Sequence, residues 1–306
     1  MSMSTTKQPL LTALSFAMLT LSLGGAARAE TKRSPEAAAA RAEIQKMLGF
    51  MPASLNAVPD HALPGAWEEM KTLQVSTDTA LPCKVKEIIA ASVAAQLPSP
   101  ALVHGHTQLA RAAGATPAEL ADGITMAAGA RHWSTFFNGM QLDEKQFRAD
   151  IARAVEGAKK AAASGAAPPA PLNVVDQKTA LADVKQAFGF VPEFLARFPA
   201  ASVAGAWREM RDTELAPTAL PGKYKSLVSL AVASQIPCRY CVVADTEFAK
   251  LEGATDKEIG EAVAMAGLVR HWATMMTGLA VDEAQHKKDM ERIAKSVASM
   301  TKTAAK

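Results

Sequence analysis

Gly114-Ala115-Thr116-Pro117-Ala118-Glu119 closes one helix and opens the next. The glycine suits the left-handed position just past a last helical turn. Thr116 and Glu119 have the spacing of a capping box, and Pro117 falls where a first turn tolerates proline. Gly253-Ala254-Thr255-Asp256-Lys257-Glu258 repeats the device 139 residues later. Upstream of these stretches, Pro82 to Gln96 and Pro221 to Gln235 read as helices that begin at a proline. Downstream, long helices run to about Gly139 and Gly278. No run of alternating β-branched residues is bounded by turns, so the expected fold class is all-α.

The correspondence extends over most of the chain. Met47-Leu48-Gly49-Phe50-Met51-Pro52 returns as Ala187-Phe188-Gly189-Phe190-Val191-Pro192, and Gly65-Ala66-Trp67 returns as Gly205-Ala206-Trp207, 140 residues on. From Ala80 the offset is 139, and 23 of 61 positions between 80–140 and 219–279 are identical without a gap. Two unrelated Ala-rich helical stretches do not match this well, so the chain is a tandem duplication. The copies are expected at 30–160 and 172–299, joined by a linker over 161–171 that is rich in Ala, Ser, Gly and Pro. Residues 300–306 read as a flexible tail.

Residues 1–29 read as a secretory signal peptide and not as part of the fold. Lys7 precedes an uncharged apolar stretch from Leu10 to Leu23, and Ala27-Arg28-Ala29 offers a small-x-small cleavage site. The apolar stretch is short for a bilayer span, and no later segment reaches membrane length. A periplasmic or secreted protein with no membrane attachment after cleavage is expected. Cleavage would remove Lys7 and Arg28 and no acidic residue, lowering the formal charge from +3 to +1. Such a balance gives no electrostatic basis for nucleic-acid binding.

Three cysteines, Cys83, Cys238 and Cys241, are too few for a disulfide framework. The pair in Ile236-Pro237-Cys238-Arg239-Tyr240-Cys241 lies at a helix start, where free backbone N–H groups and the helix dipole favour a thiolate. A thiolate attacks a peroxide or a disulfide, and the neighbouring thiol resolves the product into an intramolecular disulfide. The alternatives are an inert disulfide, which an oxidising compartment favours, or half of a zinc site. No second cysteine pair completes a metal site, so no metal or other cofactor is expected.

With Thr246-Glu247, Gly253-Ala254-Thr255 and Arg270-His271-Trp272 added to that motif, both copies resemble the alkylhydroperoxidase D/carboxymuconolactone decarboxylase superfamily, in particular its peroxidase-related subgroup. The family pattern is Glu, eleven residues, Cys-x-x-Cys, three residues, His. The resemblance implies a helical-bundle unit in each copy, with Cys241 peroxidatic, Cys238 resolving, and a Glu and a His relaying the proton. The second copy has Ser226 at the glutamate position and Asp245 at the histidine position. An ionised Asp245 would raise the cysteine pKa, whereas a buried neutral one could pass a proton. The first copy keeps Glu87 and His106 at the family positions but has Ser99 and Leu102 in place of the cysteines. It is therefore a vestigial site or one that binds a ligand. His132 and His271, in the repeated Arg-His-Trp, are candidates to line a pocket.

Three functions follow as expectations. The first is an exported thiol oxidoreductase acting on a small-molecule peroxide or a protein disulfide, with an unidentified electron donor. The second is a carboxymuconolactone decarboxylase-like lyase relying on Glu87 and His106. The third is a non-catalytic binding or assembly protein with degenerate sites. Family resemblance also implies a homo-oligomer.

Overall fold

The computed structural model describes residues 34–97, 99–165, 167 and 169–304, of which the last five are described as backbone only. The expected signal peptide lies outside the described residues. Among these residues there are helices and no strands. The first half contains α1 (Pro35–Leu48), α2 (Ala53–Ala57), α3 (Leu63–Glu69), a π-helix π1 (Met70–Val75), α4 (Cys83–Ala95), α5 (Pro100–Ala112), α6 (Pro117–Gly139) and α7 (Glu144–Ser164). The second half repeats the order as α8 (Gln177–Phe188), α9 (Glu193–Ala196), α10 (Val203–Met210), π2 (Arg211–Leu215), α11 (Gly222–Gln235), α12 (Arg239–Leu251), α13 (Asp256–Gly278) and α14 (Glu283–Ala304). Helix α7 thus continues through the start of the expected linker, and α14 continues past Ser299.

Local sequence accounts for the helix ends. Both capping boxes form, with Thr116 and Thr255 accepting from the Glu119 and Glu258 N–H groups and both glutamates accepting in return. Gly114 and Gly253 precede them at φ +91° and +84°, where a side chain would be strained. The π-helices were not anticipated. Each wide turn is fastened by a fully buried lysine: Lys86 Nζ donates to Leu73 O, Ser76 O and Thr79 Oγ at 2.7–2.9 Å, and Lys225 Nζ donates to Thr213 O and Ala216 O at 2.7–2.8 Å. A buried ammonium would be costly without such partners. Here it satisfies carbonyls that a helix end leaves free.

The duplicated halves interlock. Helices α4 and α11 lie centrally; α6 packs on both, and so does α13. The last helix of each half lies on the other half: α7 against α12 and α9, α14 against α5 and α2. The same contacts occur twice. Asp150 of α7 accepts from the Glu193 N–H at 2.9 Å, and Asp289 of α14 accepts from the Ala53 N–H at 2.7 Å. Arg153 stacks over Phe190, and Arg292 over Phe50, each at 4.1 Å. Asp122 caps the Leu220 N–H across the interface, as Glu261 caps those of Ala80 and Leu81. The described residues therefore form one compact unit, and each of its two apolar clusters draws on both halves. Trp67 and Trp207 are buried in them, each donating its indole N–H at 2.8 Å, to Glu43 and Asp183 respectively.

Two candidate sites related by the repeat

In the second half, Cys238 is the N-cap residue of α12 and Cys241 lies in its first turn. The two are joined by a disulfide, with their Cα atoms 5.3 Å apart. Cys238 Sγ also accepts from the Cys241 N–H at 3.2 Å, so the sulfur sits at the free donors of the helix start, as the sequence suggests. Cys238 has no exposed surface, and Cys241 retains 5%. One turn further along α12, Asp245 accepts from Ser229 Oγ at 2.9 Å. Burial pushes its carboxyl well above the usual carboxylate range; the Ser229 bond opposes this and the nearby Glu214 adds to it. A neutral Asp245 places no negative charge beside Cys241. Ser226, at the family's glutamate position, is partly buried on α11.

Glu214, on π2, was missed in the sequence reading. Burial raises its pKa to about 7, with Glu209 contributing and Lys225 opposing. It reaches inward because α6 has a glycine opposite: a Cβ at Gly129 would lie 3.1 Å from Glu214 Oε1. The repeat could have revealed it, since Glu214 stands 140 residues after Gln74. In the first half, Gln74 Nε2 donates to Glu87 Oε1 at 2.8 Å. The second half has therefore lost the carboxylate from α11 and gained one on the adjacent π-helix.

In the first half, His106 Nδ1 is 2.8 Å from Glu87 Oε2, and both residues are buried. With Glu87 accepting from both Gln74 and His106, the imidazole is held in the wall of a cavity of about 90 Å³. Leu102 lines that cavity, while Ser99 is the buried N-cap residue of α5 and makes no capping bond. The far wall comes from the second half, with Trp272 and Met276 on α13 and His286 and Met290 on α14.

The corresponding place in the second half is filled. Around the cysteines Phe194 stands where the cavity site has Ser54, Phe198 for Val58 and Tyr240 for Ala101, while Phe137 and Phe147 of the first half stand for Met276 and His286. The rings pack on one another, with Phe137–Phe194 centroids at 5.2 Å and Phe147–Tyr240 at 5.3 Å, and Tyr240 Oη donates to Leu142 O at 2.6 Å.

The remaining candidates lie apart from this chemistry. His132 and His271 are on exposed faces of α6 and α13; His132 packs near Phe198 and His271 edge-on to Trp272, and neither lines the cavity. His104 faces Glu291 at 3.2 Å, away from His106. Cys83 is a free, partly buried thiol whose Sγ lies 3.7 Å from Ser76 O.

A family model described as the carboxymuconolactone decarboxylase family matches residues 61–145 and 201–284. These matches cover more than half of the chain, so it belongs to that family, as two tandem copies of its helical unit. No curated protein and no solved structure matches it.

Proposed function

We infer that this chain is a dithiol–disulfide oxidoreductase that reduces a small hydroperoxide at Cys241 and Cys238. The observation behind this reading is the bonded pair at the start of α12, one turn from Asp245, whose carboxyl is pushed well above its usual range by burial and interacts with Glu214. The Cys241 thiolate attacks the outer peroxide oxygen, an alcohol leaves, and the resulting sulfenic acid condenses with the Cys238 thiol, releasing water. Glu214, with a pKa of about 7, is suited to exchange the proton that the family assigns to imidazole. Burial of both sulfurs favours a small oxidant over a folded protein disulfide. In an oxidising compartment, reached through the N-terminal segment, the spent pair would rest as the disulfide until it is reduced for the next turnover. An unidentified donor restores the dithiol, and assembly into a homo-oligomer belongs to the same reading.

The test is thiol counting. The fully reduced protein is mixed with limiting hydroperoxide and its free thiols are titrated with time. Three thiols should fall to one, Cys83 remaining, and Cys241→Ser should show no such rapid loss. Thiols that persist in the unaltered protein would refute the redox reading.

A further inference from the structure

The cavity beside Glu87 and His106 has polar groups that the fold leaves unused. His286 is 4% exposed and neither of its ring nitrogens has a hydrogen-bond partner; the same holds for Nε1 of Trp272, which is 5% exposed. Both side chains line the cavity. Buried nitrogens without partners are costly, and a fold tolerates them where something else supplies the bond. The repeat-related site around the cysteines demonstrates the alternative, because Phe147 of α7 occupies there the position of His286 with no polar atom at all.

The polar complement is specific. Trp272 Nε1 is a donor only. A neutral His286 supplies one donor and one acceptor, and His106, donating Nδ1–H to Glu87, presents an acceptor nitrogen. Ser54 and Gln74, whose amide donates to Glu87, also line the cavity; the rest of the wall is mostly apolar, including Leu55, Leu109, Val269 and Ile293. No lysine or arginine is among the lining residues, and the Glu87 carboxylate lies behind His106, so an anion would be repelled. At about 90 Å³ the space is smaller than the ~150 Å³ cavity that holds benzene, and it suits a body of only a few carbon atoms.

We propose that this cavity is a binding site for a small uncharged organic molecule, an apolar body bearing one hydroxyl or carbonyl group held by His106, His286 and Trp272. The site belongs to both halves at once, since the pair that holds the imidazole comes from α4 and α5 and the unpartnered nitrogens come from α13 and α14. Nothing in it requires the cysteines.

The test is a titration of the whole chain with 1-butanol and with 2-butanone, followed through the backbone amide of Gly105, which lines the cavity. Butyrate is the charged comparison. Saturable shifts with both neutral probes are expected, with weaker binding of butyrate. His286→Phe, which installs the residue of the other half, and Trp272→Phe, which keeps a ring and loses the N–H, should each weaken binding by roughly tenfold. Cys241→Ser should bind as the unaltered protein does, which separates this result from the redox reading. Absence of saturable shifts, butyrate binding as tight as that of butanol, or unchanged affinity in either ring variant would overturn the proposal.

Discussion

The two halves share a backbone plan, yet one surrounds a cavity while the other packs it with rings. Ser54 and His286 line a space beside the Glu87–His106 pair, whereas Phe194 and Phe147 stand at the related positions beside the cysteines, with Phe198 and Tyr240 in place of the smaller Val58 and Ala101. On the proposed functions, a duplicated helical unit divides its labour between binding and redox chemistry. A polar pair needs room for something to bind to it. A disulfide needs only its two sulfurs and a proton route, and an aromatic shell excludes large reactants. Because α7 and α14 cross over, each half's site is finished by side chains of the other, so neither half could change its site alone.

The comparison breaks most easily at the plug. Phe194→Ser places the first half's residue in the second, removing a ring that packs edge-on against Trp133 and Phe137 and tilted against Phe147. A loss of about 3–5 kcal/mol is expected from urea unfolding. Reaction of the reduced pair with peroxide should become faster as the shell opens. A variant as stable as the original would show that the ring cluster does not seal the second site.

Next come the lysines that fasten the π-helices. Lys86→Met and Lys225→Met should each cost roughly 2–4 kcal/mol, because carbonyls at the end of the wide turn lose their donor. Comparing the two sharpens the contrast between the halves. The first frees Gln74 from its place at Glu87, whereas the second also removes the charge that holds Glu214 down and should push its pKa above about 7.

His286 provides a pH test. Burial holds its pKa at about 4, with His106 and His104 adding to the effect and Asp289 opposing it. In the unfolded chain it titrates near 6.5, so the unfolded state binds the proton first. Stability should therefore be full above pH 6.5 and fall as the pH drops towards 4, by on the order of 2 kcal/mol at pH 5. In His286→Phe this contribution should vanish. A unchanged acid limb in the variant would mean the ring is already charged in the fold.

The last test concerns Glu214. Its folded pKa is raised, so its contribution to stability is full below about 4.5 and is lost as pH rises towards 7. Glu214→Gln should flatten that slope in unfolding measurements. It should also remove a step near pH 7 from the rate at which the reduced pair reacts with peroxide, while the alkaline thiol step remains.

Much of this architecture was legible in the sequence, because helix ends depend on neighbours three or four residues away. The capping boxes, the helices ending at Gly139 and Gly278, the duplication and the placement of Cys238 at a helix start follow from spacing alone. Glu87 and His106, identified by family position, do meet at 2.8 Å. The π-helices had no such signal, since their wide turns rest on lysines a dozen residues away that must be buried to act. Nor could an amphipathic pattern say which half α7 or α14 would cover, because an apolar stripe specifies that a face is buried and not against what. The same holds for both sites. Local order set which groups stand on which helix, and only the crossing of the halves decided that one pair would face a cavity with His286 in its wall while the other would lie among phenylalanine rings.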